Sequence, residues 1–429
     1  MSGARQVQVL GPMYGGMSAT TEAAVTLPFV LRTETVEVDA ANKLVRVVEE
    51  APGRVKARCP HFGVCGGCQY QMIEYEDQLE VKRSVLRSEL EKFKLEIPVD
   101  IPAHSSRSYA YRNRVRFRIA RVGDELRLGY NVRETTKFVA IEECPISAPI
   151  LLDTAKKLLA LAATNSDAAH WLNAAHELEL FTNHDLTRVQ FTLFCAPRTK
   201  APQGSFQRMV SALQQVAPCV SGAGAAAFDP RTGPTGRELD AFGQPGLSYR
   251  VGDETYWITR GGFFQVNRFL IDSLVHLVTE ARHGALAWDL FAGVGLFSRV
   301  LARSFARVTA VEANPIAAND LKAAMAKLGK QHAVMEAMTL AFLRQALLQR
   351  DRPDLIVLDP PRAGAGTEAC ELLNRLGAPQ IVYVSCDPTT LARDLAVLQS
   401  RYKITALHLV DLFPQTFHLE TVAVLDRIS

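Results

Sequence analysis

The first fifty residues alternate apolar and polar positions, whereas the last hundred and eighty string short apolar runs between helical stretches. In Gln6-Val-Gln-Val-Leu10 every second side chain is apolar, the period of a strand with one buried face. Gly11-Pro12 and Gly15-Gly16 interrupt it, and Val25–Val30, Thr35–Val38 and Lys43–Val48 are further β-rich runs. Four or five short strands with glycine turns predict a small N-terminal β-barrel, or else a plain β cap on a larger enzyme. Pro52-Gly53 marks its end. Glu74–Phe93 carries Leu79, Leu86 and Leu90 near helical spacing among charged neighbours and predicts a helix. Tyr109–Val139, Glu177–Phe181 and Arg188–Phe194 read as strands, and Pro149–Ala163 and Gln207–Val216 as helices. The Gly-, Ala- and Pro-rich stretch Ala217–Gly246 predicts a loop or a hairpin, and the whole middle is of α+β type.

From Tyr249 the pattern becomes regular α/β. Ala285–Leu290, Val308–Val311, Leu355–Leu358 and Ile381–Ser385 are short apolar runs, and an apolar helix is expected from Leu296. This predicts a mostly parallel, Rossmann-like sheet covered on both faces, with ligands bound beyond the carboxyl ends of its strands. The expected units are 1–52, 53–248 and 249–429.

Composition narrows the class. With 48% hydrophobic and 22% charged residues, wholesale disorder is excluded. No apolar run is long enough for a membrane helix, and Met1–Leu10 lacks the apolar core of a secretion signal. A cytoplasmic, monomeric protein is the expectation. A net charge of +3 neither requires nor excludes nucleic acid, so the distribution of charge decides. His104–Val139 holds nine Lys or Arg against three acids, with Tyr109, Tyr111 and Tyr130 among them. Within it Arg112, Arg114, Arg116 and Arg118 alternate with Asn113, Val115, Phe117 and Ile119. Period two puts four arginines on one face of a strand, a surface suited to RNA phosphates and splayed bases. The plain alternative is a solvated strand face.

The strand ends carry the chemistry. Asp289-Leu-Phe-Ala-Gly-Val-Gly295 is a glycine turn, and the next strand ends on Glu312, placed to accept ribose hydroxyls. A dinucleotide loop would want a third glycine where Ser298 stands, so S-adenosylmethionine is favoured over NAD. Asp359-Pro-Pro-Arg362 is a stiff loop that aims a carboxylate, or simply a rigid turn. Cys386 follows a strand and precedes a helix, where the helix dipole would favour thiolate; an isolated Cys is more often a small buried hydrophobe. Glu420, beside His418, is placed to act as a general base or as a solvated strand-end charge. Found together on one sheet edge, the three favour chemistry.

Three of the eight cysteines cluster in Cys59-Pro-His-Phe-Gly-Val-Cys65-Gly-Gly-Cys68, with Cys144-Pro145 farther on. Zinc more usually shows two Cys-x-x-Cys knuckles, and a radical enzyme a tighter first gap. A Cys-Pro pair is common where iron–sulfur sites close. Cys195, Cys219 and Cys370 have no such context.

The C-terminal motifs resemble the RNA uracil-5-methyltransferase family of class I methyltransferases. The resemblance rests on Gly261-Gly-Phe-Phe-Gln-Val-Asn267, Asp289–Gly295, Leu358-Asp-Pro-Pro-Arg-Ala-Gly364, Ile381–Cys386 and Phe413–Glu420. It implies that Cys386 adds to uracil C6, that Glu420 removes the C5 proton, and that Asp359 contacts both the uracil edge and the methyl donor. It places Gln265, Phe291, Gly293, Gly295, Glu312 and Asp359 around S-adenosylmethionine. Two positions depart from the family pattern: Leu296 stands where Asn is frequent, and Ala337 where a polar residue is usual. The cysteine run resembles that of rRNA-modifying members holding a [4Fe–4S] cluster, which implies Cys59, Cys65, Cys68 and Cys144 as ligands in a structural role. Residues 7–48 resemble a TRAM domain, a small RNA-binding barrel. The implied activity is methylation of a 23S rRNA uridine, with the T-loop uridine of tRNA as the alternative RNA. A non-catalytic iron–sulfur RNA-binding protein is the alternative outside enzymes. Cytosine-5 methylation expects Cys after an Asp-Pro-Pro strand, where this chain has Arg362.

Overall fold

The computed structural model describes residues 4–229, 231 and 233–428. Strands β1 (Arg5–Met13), β2 (Met17–Thr20), β3 (Thr26–Pro28), β4 (Thr35–Val38) and β5 (Leu44–Glu49) form a sheet ordered β3-β2-β1-β4-β5. β1 pairs with β4 through its first half and with β2 through its second, across a bulge between Val9 and Gly11. A bulge bends a strand and raises its twist, so one strand serves two directions and the sheet curls around Val7, Val9, Leu27, Val36 and Val38. The module is barrel-like, as its alternation predicts.

Helix α1 (Tyr75–Glu91) follows the cysteine-bearing loop, and β6 (Ala103–His104) follows α1. The central sheet is ordered β13-β12-β11-β10-β7-β8-β9. It comprises β7 (Arg114–Val122), β8 (Glu125–Asn131), β9 (Phe138–Ala140), β10 (Ala175–Thr182), β11 (Val189–Cys195), β12 (Val220–Asp229) and β13 (Gly233–Gly243). Of the two alternatives for 217–246, the antiparallel hairpin β12–β13 is present. Helices α2 (Pro149–Leu161), α3 (Ser166–Ala174) and α4 (Ser205–Val216) set Leu151, Leu158, Trp171 and Phe206 against Phe117, Leu178 and Phe191.

A hairpin of β14 (Gly246–Val251) and β15 (Glu254–Thr259) leads to helix α5 (Ile271–Thr279) and then the α/β layer. Its elements are β16 (Gly284–Leu290), α6 (Ser298–Leu301), β17 (Phe305–Glu312), α7 (Pro315–Met325), β18 (Ala333–Glu336), α8 (Thr339–Gln349) and β19 (Leu355–Leu358). They continue with α9 (Thr367–Leu376), β20 (Gln380–Ser385), α10 (Pro388–Leu398), β21 (Tyr402–Val410) and β22 (Thr421–Arg427). The eight-stranded order is β18-β17-β16-β19-β20-β22-β21-β6. β16 to β20 are mutually parallel and β22 returns antiparallel. One face packs Leu274, Leu301 and Leu321 of α5, α6 and α7; the other packs Leu343, Leu373 and Leu391 of α8, α9 and α10. The strand order reverses between β16 and β19, the switch point where such sheets bind ligands.

Two features differ from the sequence reading. Val85, Leu86 and Leu90 of α1 share a core with Trp288, Ile356 and Tyr383, and β6 pairs with β21. Residues 75–104 therefore pack as part of the C-terminal layer rather than with 53–248. The helix expected from Leu296 is the single turn α6, with Leu296 and Phe297 buried in the turn that precedes it. Among the described residues no helix is long and apolar enough to cross a membrane.

Candidate active site

The turn after β16 is left-handed at Phe291, Gly293 and Gly295, with φ of +61°, +57° and +87°. A Cβ on Gly295 would stand 2.6 Å from Leu321 Cδ1, so only glycine lets α7 pack this closely on the turn. Glu312, at the end of β17, accepts from Gly293 N at 2.8 Å and from Asn314 N at 2.6 Å. It thus ties the glycine turn to the neighbouring strand end. Ser298 donates its hydroxyl to Asp289, which explains a polar residue at that position. Burial raises Asp289 to about 7 against the opposing Ser298 hydrogen bond, and its Oδ1 is buried without a partner among the described residues.

Asp359, just past β19, accepts from Gln265 Nε2 at 3.2 Å. Burial, then the charge of Asp289, raises Asp359 to about 7. Glu420 is 2% exposed, and its Oε1 has no hydrogen-bond partner among the described residues. Burial, then Asp359, raises it well above the usual carboxylate range. Cys386 belongs to the same group: burial pushes its thiol up to about 12, Glu420 and Asp359 add to the shift, and Arg362 opposes it. This corrects the expectation of a dipole-stabilised thiolate. Helix α10 does begin just beyond, but Asp387 caps it, taking Thr389 N and Thr390 N at 3.0 Å each. The free amides are used there, and burial dominates at sulfur. Arg362 lies 3.4 Å from His418 Nε2; burial and that guanidinium hold His418 down to about 3, so its ring is neutral.

The tRNA (Uracil-5-)-methyltransferase family model matches residues 248–428. A 23S rRNA (uracil(1939)-C(5))-methyltransferase, RlmD, of Shewanella amazonensis is 30% identical over 454 residues, 99% of this chain and 96% of that one. This chain belongs to the RNA uracil-5-methyltransferase family. An uncharacterized RNA methyltransferase of Aquifex aeolicus is also 30% identical, over 96% of each chain. Among solved structures, the Pyrococcus abyssi tRNA (uracil-54, C5)-methyltransferase in complex with S-adenosyl-L-homocysteine has the same fold. Its TM-score is 0.73 at 22% identity, covering 99% of this chain and 100% of that one.

The two departures from the family pattern have plain local roles. Leu296 is a core side chain whose carbonyl accepts the Tyr256 hydroxyl at 2.9 Å. Ala337 donates its amide to Glu312 O at 3.1 Å.

Several polar residues that brace this region were given no such part by the sequence, and Tyr111, expected on an RNA-facing surface, is buried. Gln78 of α1 takes Gln415 N at 3.0 Å and donates to Gln415 Oε1 at 3.1 Å. Gln415 O accepts Gln69 N and Tyr70 N, and Tyr111 OH donates to Pro414 O at 3.1 Å. Asn113 Nδ2 donates to Gln265 O at 2.9 Å. The loop carrying Glu420 is thus held by α1 and by the segment after Cys68. A signal did exist: Gln78, Lys82 and Glu89 sit on the buried, otherwise apolar face of α1, where unpaired polar groups are costly.

Cys59, Cys65, Cys68 and Cys144 line one cavity of about 70 Å³, together with Arg112 and Tyr130. Burial raises all four thiols, Cys65 to about 11 and Cys68 to about 12. Among the described residues no three His, Cys, Asp or Glu side chains converge as they would on a single ion. Cys195 and Cys370 are buried core residues.

The arginine face needs correction. Arg112 precedes the strand, bridges to Ser147 and Asn267, and lines the cysteine cavity. Arg114, Arg116 and Arg118 do share a face of β7, but β10 supplies acids in register: Glu179 opposite Arg116 and Glu177 opposite Arg118. Arg116 meets Glu177 at 2.5 Å, and Arg114 meets Glu179 at 3.5 Å. Arg118 donates to Asn131 Oδ1 at 2.6 Å. The same period two that aligns the arginines aligns the neighbouring strand's glutamates beside them.

Proposed function

We propose that this enzyme transfers a methyl group from S-adenosylmethionine to C5 of a uridine in 23S rRNA. The observation that carries this reading is that Cys386, Asp359 and Glu420 interact with one another where strands of the sheet end, with Glu420 Oε1 lacking a partner among the described residues. As thiolate, Cys386 adds to C6, and the electron pair pushed onto the O4–C4–C5 system makes C5 nucleophilic. C5 takes the methyl, and Glu420 removes the C5 proton so that the C6–S bond breaks and the thiolate leaves. A carboxylate raised by burial is basic enough for a carbon-bound proton, and its free Oε1 accepts it. Asp359, oriented by Gln265, holds the uracil edge. The donor lies along Gln265, Phe291, Gly293, Gly295 and Glu312, with Glu312 on the ribose hydroxyls. The target base must leave its stack to reach Cys386.

The barrel of 1–52 and the β7 face of the 53–248 region grip the RNA, and 249–429 performs the transfer. Arg114 and Arg116 reach phosphate by exchanging their acidic partners for it, and Arg118 by leaving the Asn131 amide oxygen. Four thiols around one cavity with a neighbouring cation fit a [4Fe–4S] cluster, which takes four thiolates and carries net negative charge. Cys59, Cys65, Cys68 and Cys144 would hold it, and its part is to staple the loop that braces Glu420. The 23S choice follows the relatives named for it at 30% identity.

The test is mass-spectrometric mapping of 5-methyluridine in 23S rRNA and tRNA, from a strain lacking the protein and from its parent. Loss at one 23S uridine is the expected result. Loss only in the tRNA T-loop would keep the chemistry and overturn the substrate. No loss in either would favour an iron–sulfur RNA-binding protein without methyl transfer.

A further inference from the structure

The N-terminal module reaches the loop of the reactive thiol. Tyr14, in the turn between β1 and β2, donates its hydroxyl to Asp387 Oδ2 at 2.9 Å. Its ring meets Phe417 edge-on with centroids 5.6 Å apart, and Phe417 lies 4.2 Å from the His418 ring. Tyr14 packs against the core of the C-terminal layer, not that of its own sheet. Gly15 and Gly16 give the turn its left-handed φ of +94° and +73°. A Cβ on Gly16 would stand 2.9 Å from Gln69 Cγ and 3.3 Å from Phe417 Cβ. The turn is therefore seated tightly between the cysteine-bearing loop and the loop of Glu420.

Asp387 divides its oxygens. Oδ1 caps α10 through Thr389 N and Thr390 N, and Oδ2 takes Tyr14. Because Asp387 follows Cys386 directly, its charge opposes thiolate formation there. A donor on Oδ2 draws that charge away from sulfur and fixes the peptide that carries the thiol. Burial and Asp387 raise Tyr14 above the usual phenol range, so it remains a donor.

We infer that Tyr14 is a positioning residue for Cys386, and that the docked turn of the N-terminal module completes the reactive pocket. The inference rests on the proposed reading of Cys386 as the nucleophile. The coupling makes methyl transfer depend on the module's docking as well as on its grip on RNA.

The test compares Tyr14→Phe, which deletes only the hydroxyl, with Tyr14→Ala in the full chain. Three quantities are measured: the single-turnover methylation rate on a 23S rRNA fragment, the Kd for that RNA, and alkylation of Cys386 by iodoacetamide across pH, followed by peptide mass spectrometry. Tyr14→Phe should slow methylation about tenfold, the scale of one hydrogen bond to a charged group. It should leave the RNA Kd unchanged and move Cys386 alkylation to higher pH. In an Asp387→Asn background the same change should add no further loss. Tyr14→Phe that matches the unaltered protein in rate and alkylation overturns the inference. A loss seen only in Tyr14→Ala assigns the effect to ring packing and also overturns it. Should the unaltered protein methylate no uridine, the proposed function fails, while the alkylation profile still tests Tyr14.

Discussion

Lys82 of α1 and Asp411, just past β21, meet at 2.6 Å with side chains 1% and 0% exposed. Asp411 also accepts the Tyr75 hydroxyl at 2.9 Å, and Lys82 donates to Phe413 O at 3.0 Å. Burial lowers the Lys82 pKa, and the Asp411 carboxylate opposes that shift. The pair joins a helix far back in the chain to the loop that ends at Glu420. Lys82→Met leaves a buried carboxylate uncompensated and should cost about 3–5 kcal/mol of unfolding free energy, read from urea denaturation. Adding Asp411→Leu should recover much of that loss, because no charge is then left unpaired. Failure of the double variant to recover would mean the loop needs the ion pair itself.

In the proposed reaction Cys386 and Glu420 act in sequence, so their substitutions should fail differently. Cys386→Ala should abolish methylation and leave RNA affinity unchanged. Glu420→Gln should allow addition and methyl transfer but block proton removal. A covalent RNA–protein band should then survive a denaturing gel. Turnover by Cys386→Ala would remove it as nucleophile, and a folded Glu420→Gln chain that forms no adduct would remove Glu420 as base.

The pH profile should lie higher than ordinary carboxylates would put it. Asp359 is raised to about 7, Glu420 well above its usual range, and Cys386 to about 12. The reaction needs their deprotonated forms, so kcat/KM should still be rising through pH 7 to 8.5. A plateau already reached at pH 5.5 would contradict the buried, mutually repelling group described above.

Asp289 should set a pH dependence of stability. Its folded value, about 7, lies above the ordinary carboxylate value of 3.8, so the folded state binds the proton more tightly. The stability this contributes is fully present below the unfolded value and is lost as pH rises through about 7. The Tm should therefore fall between about pH 4 and 7, and Asp289→Asn should flatten that slope. Equal slopes in the two proteins would place the titration elsewhere.

The cysteine cavity can be tested without measuring methylation. Anaerobically purified protein should contain about four iron atoms per chain, as a [4Fe–4S] cluster requires, with broad visible absorption. Cys68→Ser should lose both, along with protection of the 59–71 segment in hydrogen exchange. Full protection in iron-free protein would show that the loop needs no staple.

Much of the site was legible because chemistry in an α/β sheet sits where strands end, and strand ends are local features. Asp289, Glu312, Asp359 and Cys386 each follow an apolar run directly, so a linear reading places them on one edge. The alternation of Arg114, Arg116 and Arg118 was equally legible, but their partners were not. Glu177 and Glu179 become neighbours only when β10 pairs with β7. The Cys386 thiol was misjudged for a related reason: the helix start is local, whereas the burial and the two carboxylates that raise its pKa come from distant segments.

The sequence by itself determined the strand periods, the glycine turn, the clustered cysteines and the strand-end positions of the proposed reacting groups. Each of these depends on residues a few positions apart. Only the tertiary structure decided that α1 joins the catalytic core, that Lys82 answers Asp411, and that Tyr14 reaches Asp387. Those are contacts across hundreds of residues, apolar for α1 and polar for the other two. No local period encodes them, because their energy arises only once water has been excluded around both partners.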